Sequence, residues 1–203
     1  MMTAALPIYR LSFTAASLRV KDLVTVAAAV LNDGQEQLIE ILGQGKSSSG
    51  KRIHNELMHR FRSLTQNQQQ ALINSSFKTQ KELAFLSVCK TYSFIREFVV
   101  EVVREKVMLY DNQLSEGEII SFLRTKAESH PELEKLAEST KKKVMQVTFK
   151  ILEEASIIDT SATKTIQIQS ISKKTEMLIK EDNWEWLKIF LYNDQEIQQL
   201  LHE

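Results

Sequence analysis

Residues 83–107 read LAFLSVCKTYSFIREFVVEVVREKV, a run of 25 positions without a glycine or proline. It is far longer than an ordinary strand of about 3–10 residues. It is no membrane span either, because Lys90, Arg96, Glu97 and Glu101 recur every few positions and leave no uncharged apolar stretch of about 18 residues. What fits is a helix buried inside a water-soluble fold. The rest of the chain points the same way. Five glycines and two prolines among 203 residues are too few for a turn-rich β-sandwich or an α/β sheet with glycine loops. The expected class is all-α, and the length suffices for one sizeable core or two small ones. Within residues 80–108 the weakest point in helix propensity is Thr91-Tyr92-Ser93, so one bent helix or two are expected there. Tyr92, Phe94 and Phe98 read as core rather than as a base-stacking platform, and Cys89 as a small buried hydrophobe.

Flanking segments carry their own signals. Residues 6–13 read as extended, with Pro7 restricting the chain and Tyr9, Leu11 and Phe13 alternating with Ile8, Arg10 and Ser12. A helix is expected after Thr14 through Leu31, ended by Asn32-Asp33-Gly34, and a short amphipathic helix over 35–44. Residues 46–52 read as a serine-rich loop before a helix over 52–64 with Ile53, Leu57 and Phe61 or Leu64 inward. Thr65 is expected to cap the next helix, and Thr79 precedes the long apolar segment.

The second half has a different texture. Ser115 and Glu118 have capping-box spacing, Pro131 suits the first turn of a short helix, and Ser139 or Thr140 is positioned to cap a helix through Ser156. Ile157-Ile158, a polar turn, then Ile166, Ile168 and Ile171 suit a two-stranded ribbon. Helix, short helix, longer helix and ribbon make a winged helix-turn-helix. The expected architecture is a helical bundle over residues 1–110, a winged helix-turn-helix with a small β-ribbon over 111–172, and a helical extension over 173–203. That extension docks through Trp184, Trp186 or Leu187, Phe190 and Leu191.

Gly45-Lys46-Ser47-Ser48-Ser49-Gly50-Lys51 has the glycine and lysine spacing of a phosphate-binding P-loop. A P-loop needs a preceding strand, and Ser or Thr after the lysine to hold Mg²⁺. Here the preceding segment has helical periodicity and the next residue is Arg52, so nucleotide hydrolysis is not expected. Phosphate recognition without hydrolysis remains: Lys46, Ser47, Ser48, Lys51 and Arg52 offer charge, hydroxyls and backbone amides at a helix N-terminus. The alternative is a solvated loop whose serine caps a helix.

Lys141, Lys142 and Lys143 span less than one turn at the start of what would be the recognition helix, and Gln146 lies near the same exposed face. Lysines there oppose the helix dipole, a small cost that points to a polyanion partner, with Gln146 a candidate reader of adenine. The alternative is that basic residues merely fill an exposed turn and that this element joins proteins. Zero net charge excludes a uniformly basic coat but not local patches. His54 and His59 around Glu56 make no convincing catalytic or metal group. No nucleophile–base pair, paired carboxylates or zinc-ligand spacing stands out, so neither an enzyme, a cofactor nor a small-molecule substrate is expected. The single Cys89 excludes an intramolecular disulfide, and the first twenty residues lack a signal-peptide pattern, which together fit a cytoplasmic protein.

Four stretches together resemble the BrxA family, small accessory proteins of bacterial BREX phage-defence systems. They are YRLSFTAASLRV at 9–20, GKSSSGKRIHNELMHRF at 45–61, LAFLSVCKTYSFIREFVVEVVREK at 83–106 and TKKKVMQVTFKILEEASII at 140–158. The resemblance extends to about residue 171. It implies an all-helical cytoplasmic protein, similar at fold level to the RNA-binding antitermination factor NusB, working beside the system's methyltransferase, ATPases and phosphatase-like component. The family's serine-and-basic stretch falls on Ser47, Ser48, Lys51 and Arg52, and its core element on Cys89, Lys90 and Tyr92. Where the family shows a glycine pair, this sequence has Ala15-Ala16. Residues and resemblance together lead to the expectation of a non-enzymatic accessory that binds nucleic acid, duplex DNA first and RNA as the alternative. The competing class is an adaptor that docks other BREX components.

Overall fold

The computed structural model describes residues 8–32 and 38–202. Leu6 and Pro7 of the expected extended start, Asp33-Gly34 of the expected helix stop, and residues 35–37 lie outside them. A 3-10 turn, Ser12–Ala15, opens the chain. It is followed by α1 (Val20–Leu31), α2 (Leu38–Gly43), α3 (Ser47–Ser63), α4 (Gln66–Asn74), α5 (Phe77–Thr91) and α6 (Ser93–Phe98). A π-helical turn, Val99–Val103, joins α6 to α7 (Arg104–Met108); then come α8 (Glu116–Ala127), α9 (Pro131–Glu134), α10 (Glu138–Glu154) and α11 (Lys173–Asp182). A second 3-10 turn, Trp184–Phe190, leads to α12 (Asp194–His202). The protein is all-helical, and no described helix is long and apolar enough to cross a membrane.

The long apolar segment is the axis of the fold. Glu82 through Cys89 are all buried, as are Tyr92, Phe94, Ile95, Phe98, Val99 and Val103. The chain breaks at Tyr92, whose extended backbone (φ −123°, ψ 97°) separates α5 from α6. Three distant segments pack aromatic rings on this axis. Phe13 meets Tyr92 at 5.5 Å between centroids, Phe122 of α8 meets Phe94 and Phe98 at 5.4 Å, and Phe190 meets Phe85 at 5.8 Å. Such edge contacts add about 0.5–1.5 kcal/mol each beyond the area they bury. In the C-terminal segment Leu187, Phe190 and Leu191 are buried, while Trp184 and Trp186 are half-buried beneath Lys188 and Lys90.

Local signals set several element ends. Thr65 and Gln68 form the expected capping box of α4, Glu118 accepts from the amide and hydroxyl of Ser115 at α8, and Pro131 opens α9. Elsewhere tertiary contacts override propensity. α1 starts at Val20, later than its periodicity predicts, because Ala16, Ser17 and Leu18 give their carbonyl oxygens to the buried Arg60 guanidinium of α3. Glu154 of α10 takes the Leu18 amide and Ser17 hydroxyl at 2.7 and 3.0 Å. Those groups are therefore not available to a helical ladder.

Residues 47–52 are not the expected loop: Ser47 begins α3, and Lys46, its N-cap, makes no side-chain cap. Gly50 faces α2 so closely that a Cβ there would lie 1.9 Å from the Ile39 carbonyl oxygen, and one on Gly43 would lie 2.8 Å from the Gly50 nitrogen. These two glycines let α2 and α3 touch backbone to backbone. α10 likewise starts earlier than expected, at Glu138 with Ala137 as N-cap, so neither Ser139 nor Thr140 caps it. An acidic residue in the first turn suits the helix dipole.

The expected β-ribbon does not form. Among the described residues there is no strand, only two isolated antiparallel bridges, Gln113 with Thr165 and Ile158 with Ile166. The pairing is divided between two neighbours: Leu114 and Ile166 bond to Lys164 and Asn112, whereas Gln167 bonds to Ile157. Asp159 closes the turn by accepting the amides of Thr160 and Thr165. Those bonds hold its carboxyl near 2 against a desolvation that would raise it. Neither side has enough paired residues to propagate a ladder. The α8–α9–α10 order is present, but the winged form of a helix-turn-helix is not supported.

Candidate nucleic-acid interface

α10 buries Val144, Val147, Thr148, Phe149, Ile151 and Leu152 and turns its opposite face outward. Lys142, Lys143, Gln146 and Lys150 are exposed, and Lys141 is half-buried. Lys141 bonds Glu138 at 2.8 Å, keeping that carboxyl below its ordinary range, and Lys143 donates to the Gln146 amide oxygen at 3.3 Å. Lys150 reaches Glu153 at 3.2 Å. Pairs this exposed to water are weak, so a phosphate can displace the carboxylates at small cost.

Along this face runs an open cleft of about 540 Å³, with α10 as one wall and residues 14–19 as the other. Lys143, Gln146, Val147, Lys150 and Glu153 line it from α10, Arg19 and Ser17 from the opposite wall, and Ser161 closes one end. Arg19 sits in the left-handed region at φ 49° and pairs with Asp22. Glu153 is tied by the Ser161 hydroxyl first, then by Lys150 and the Ser161 amide, which together keep it ionised. The wall at 14–19 is firmly placed, because Arg60 and Glu154 hold its backbone from both sides.

The second candidate group lies elsewhere. Lys46, Ser47, Ser48, Lys51 and Arg52 are all exposed at the N-terminus of α3, and among the described residues none of their side chains makes a hydrogen bond or ion pair. No residue of α3 lines the cleft, although α3 and α10 grip the same segment, through Arg60 and Glu154 respectively. Of the residues singled out from sequence, the cleft gathers Lys143 and Gln146. It adds Arg19 and Lys150, which sequence reasoning passed over. Lys150 was within reach, since 143, 146 and 150 follow the three-and-four spacing of one helix face. For Arg19 no local signal exists.

Glu56 lies among buried polar groups rather than in a histidine cluster. It accepts the Tyr92 hydroxyl at 2.6 Å and Ser12 at 2.9 Å, and pairs with Arg10 at 3.5 Å. Burial raises the Cys89 thiol well above its usual range, so it stays protonated.

A crystal structure of an uncharacterized protein from Magnetospirillum magneticum has a similar fold. Its TM-score is 0.79 at 19% identity, covering 91% of this chain and 98% of that one. No curated protein matches the sequence significantly. The BrxA family model matches residues 7–183, which span the 12–19 segment, the α3 N-terminus, the buried axis and α10 together, and the chain belongs to the BrxA family.

Proposed function

We propose that this BrxA-family protein is a non-enzymatic accessory of a BREX phage-defence system that binds nucleic acid, duplex DNA in preference to RNA, through α10. The family makes it a BREX component. The observation that carries the DNA reading is the exposed row Lys142, Lys143, Gln146 and Lys150 on a helix whose other face is anchored in the core. In a neutral chain a polyanion must be held where cations concentrate, and this row is one such surface with a rigid backing. The α3 cluster from Lys46 to Arg52 supplies a second set of phosphate contacts, with Ser47 and Ser48 adding uncharged hydrogen bonds that fix orientation. The other BREX components are its protein partners, and its compartment is the cytoplasm.

Nucleotide hydrolysis does not belong to this reading. A helix rather than a strand precedes the Gly45–Lys51 motif, and Gly50 serves the contact with α2. A gel-shift titration with plain duplex DNA across a salt series tests the proposal. The Lys141→Ala, Lys142→Ala double variant should remain folded, because its core contacts begin at Val144. Each phosphate contact it loses should lower the log-affinity against log-salt slope by about 0.9 in magnitude. Binding unaffected by salt and by these substitutions would leave the adaptor reading, in which α10 docks a protein.

A further inference from the structure

The cleft beside α10 differs from an ordinary recognition-helix surface, and the difference bears on what it takes. We infer that it seats a sugar–phosphate backbone, so that one strand is gripped edge-on and without reading base sequence. The inference rests on the nucleic-acid reading of α10 and sharpens it.

Three observations carry it. The first is the charge of the lining: Arg19, Lys143 and Lys150 converge from two walls on one lining carboxylate, Glu153, which Ser161 and Lys150 engage, while Asp22 pairs with Arg19 beside the cleft. The second is spacing. Lys143, Gln146 and Lys150 climb one helix face, and the seven-position step from one lysine to the other rises about 10.5 Å. That exceeds the axial rise of about 3.4 Å per nucleotide, so the row is long enough to meet more than one phosphate. Because a strand winds about the axis, its neighbouring phosphates lie farther apart than their axial rise, so the two lysines meet phosphates about one or two steps apart while Arg19 closes from the opposite wall.

The third observation is the second wall itself. A helix with its side chains is about 10–12 Å across and by itself fills a major groove about 12 Å wide. α10 cannot sink into that groove with residues 14–19 held alongside it by Arg60 and Glu154. A backbone ridge entering the cleft meets no such obstacle. The lining also lacks any aromatic side chain, so it offers no platform for stacked bases.

The test uses the full chain carrying Arg19→Gln and Lys150→Gln. Both side chains are partly exposed, at 27% and 49%, and neither belongs to the core, so a melting curve near that of the wild type is expected. Affinity should fall by the same factor, at least about tenfold at moderate salt, for two duplexes of unrelated sequence. The log–log salt slope should drop by about 1.8 in magnitude, the share of two phosphate contacts. A single strand should show the same loss, since one backbone is what the cleft holds. A folded variant with an unchanged slope would overturn the inference while leaving the α10 reading intact, provided the Lys141, Lys142 variant does lose affinity. A loss confined to one of the two sequences would likewise overturn it, in favour of base recognition. If the wild type binds neither duplex nor single strand at low salt, the parent reading falls and takes the cleft with it.

Discussion

Arg60 carries its charge at 0% exposure, and its neighbours explain why it is tolerated. Its guanidinium donates to the carbonyl oxygens of Ala16, Ser17 and Leu18 and to the Tyr92 hydroxyl, which donates in turn to Glu56. The positive charge is thus linked through one phenol to a buried carboxylate. Arg60→Met keeps much of the volume but orphans those carbonyls, and should cost about 3 kcal/mol or more in denaturant unfolding. It should also weaken DNA binding, because the wall it holds loses its place. A folded variant of undiminished stability would show that the network is ornamental. Tyr92 makes a pH prediction. Burial pushes its phenol up to about 12, with the Glu56 hydrogen bond adding and Arg60 pulling the other way. The unfolded phenol ionises near 10, so this contribution is complete below pH 10 and is lost as pH climbs through 12. Tyr92→Phe should be less stable at neutral pH and should show a shallower fall in melting temperature between about pH 9.5 and 11.5. Tyr9, raised in the same direction, keeps that curve from becoming flat. Identical alkaline slopes in the two proteins would contradict the assignment.

At the scale of elements, one glycine of the P-loop-like motif has an architectural role. Gly50 is where α2 presses its Ile39 carbonyl into α3, and no side chain larger than hydrogen fits without moving a helix. Gly50→Ala should therefore destabilise the protein by at least about 2 kcal/mol, lowering the melting temperature by about 4–8 °C. Gly45→Ala meets no neighbour, but its φ of 81° adds backbone strain, and a loss of about 1 kcal/mol is expected. If Gly50→Ala melts like the wild type, the close approach of α2 and α3 is not real. The same scale shows why a ribbon was expected and a turn formed. Ile166 and Ile168 alternate as a strand does, yet only Ile166 is buried; Ile168 remains 65% exposed. Alternation records which faces the residues prefer, but a ladder also needs a continuous partner, and here the partner role is divided between residues 112–114 and 157–158.

Among the described residues nearly all buried apolar side chains belong to one cluster, from Tyr9 to Ile197. The segment after Ile171 contributes Leu178, Ile179, Leu187, Ile189, Phe190 and Leu191 to it. Polar ties accompany them: Glu82 of α5 accepts from the amide and hydroxyl of Ser172 and the hydroxyl of Thr175, and Lys90 pairs with Asp182 at 2.6 Å. A chain cut after Ile171 would expose the α5 face and strand Glu82 without partners. It should melt at clearly lower temperature and bind a hydrophobic dye that the full chain does not. A truncated chain that melts like the full one would show that the roughly thirty residues after Ile171 are a separable appendage.

The all-helical class was legible from the scarcity of glycine and proline and from residues 83–107, where charges recurring on an apolar run suit a buried helix. The weak point at Thr91-Tyr92-Ser93 was legible, though not whether it bends or breaks the helix. So were the signals at Thr65, Ser115 and Pro131, since each depends on residues within three or four positions of one another. The exposed lysines of α10 and the exposed cluster from Lys46 to Arg52 were visible as charge. Their placement relative to one another was not, because it depends on Arg60 and Glu154 meeting residues 16–18 from more than forty and more than 130 positions away. That meeting displaced the start of α1, built the second wall of the cleft and brought Arg19 opposite Lys150. Local sequence determines which faces are apolar and where hydrogen bonds close within a turn. A cleft between two distant segments exists only once the buried charges of the tertiary fold have found the backbone groups that satisfy them.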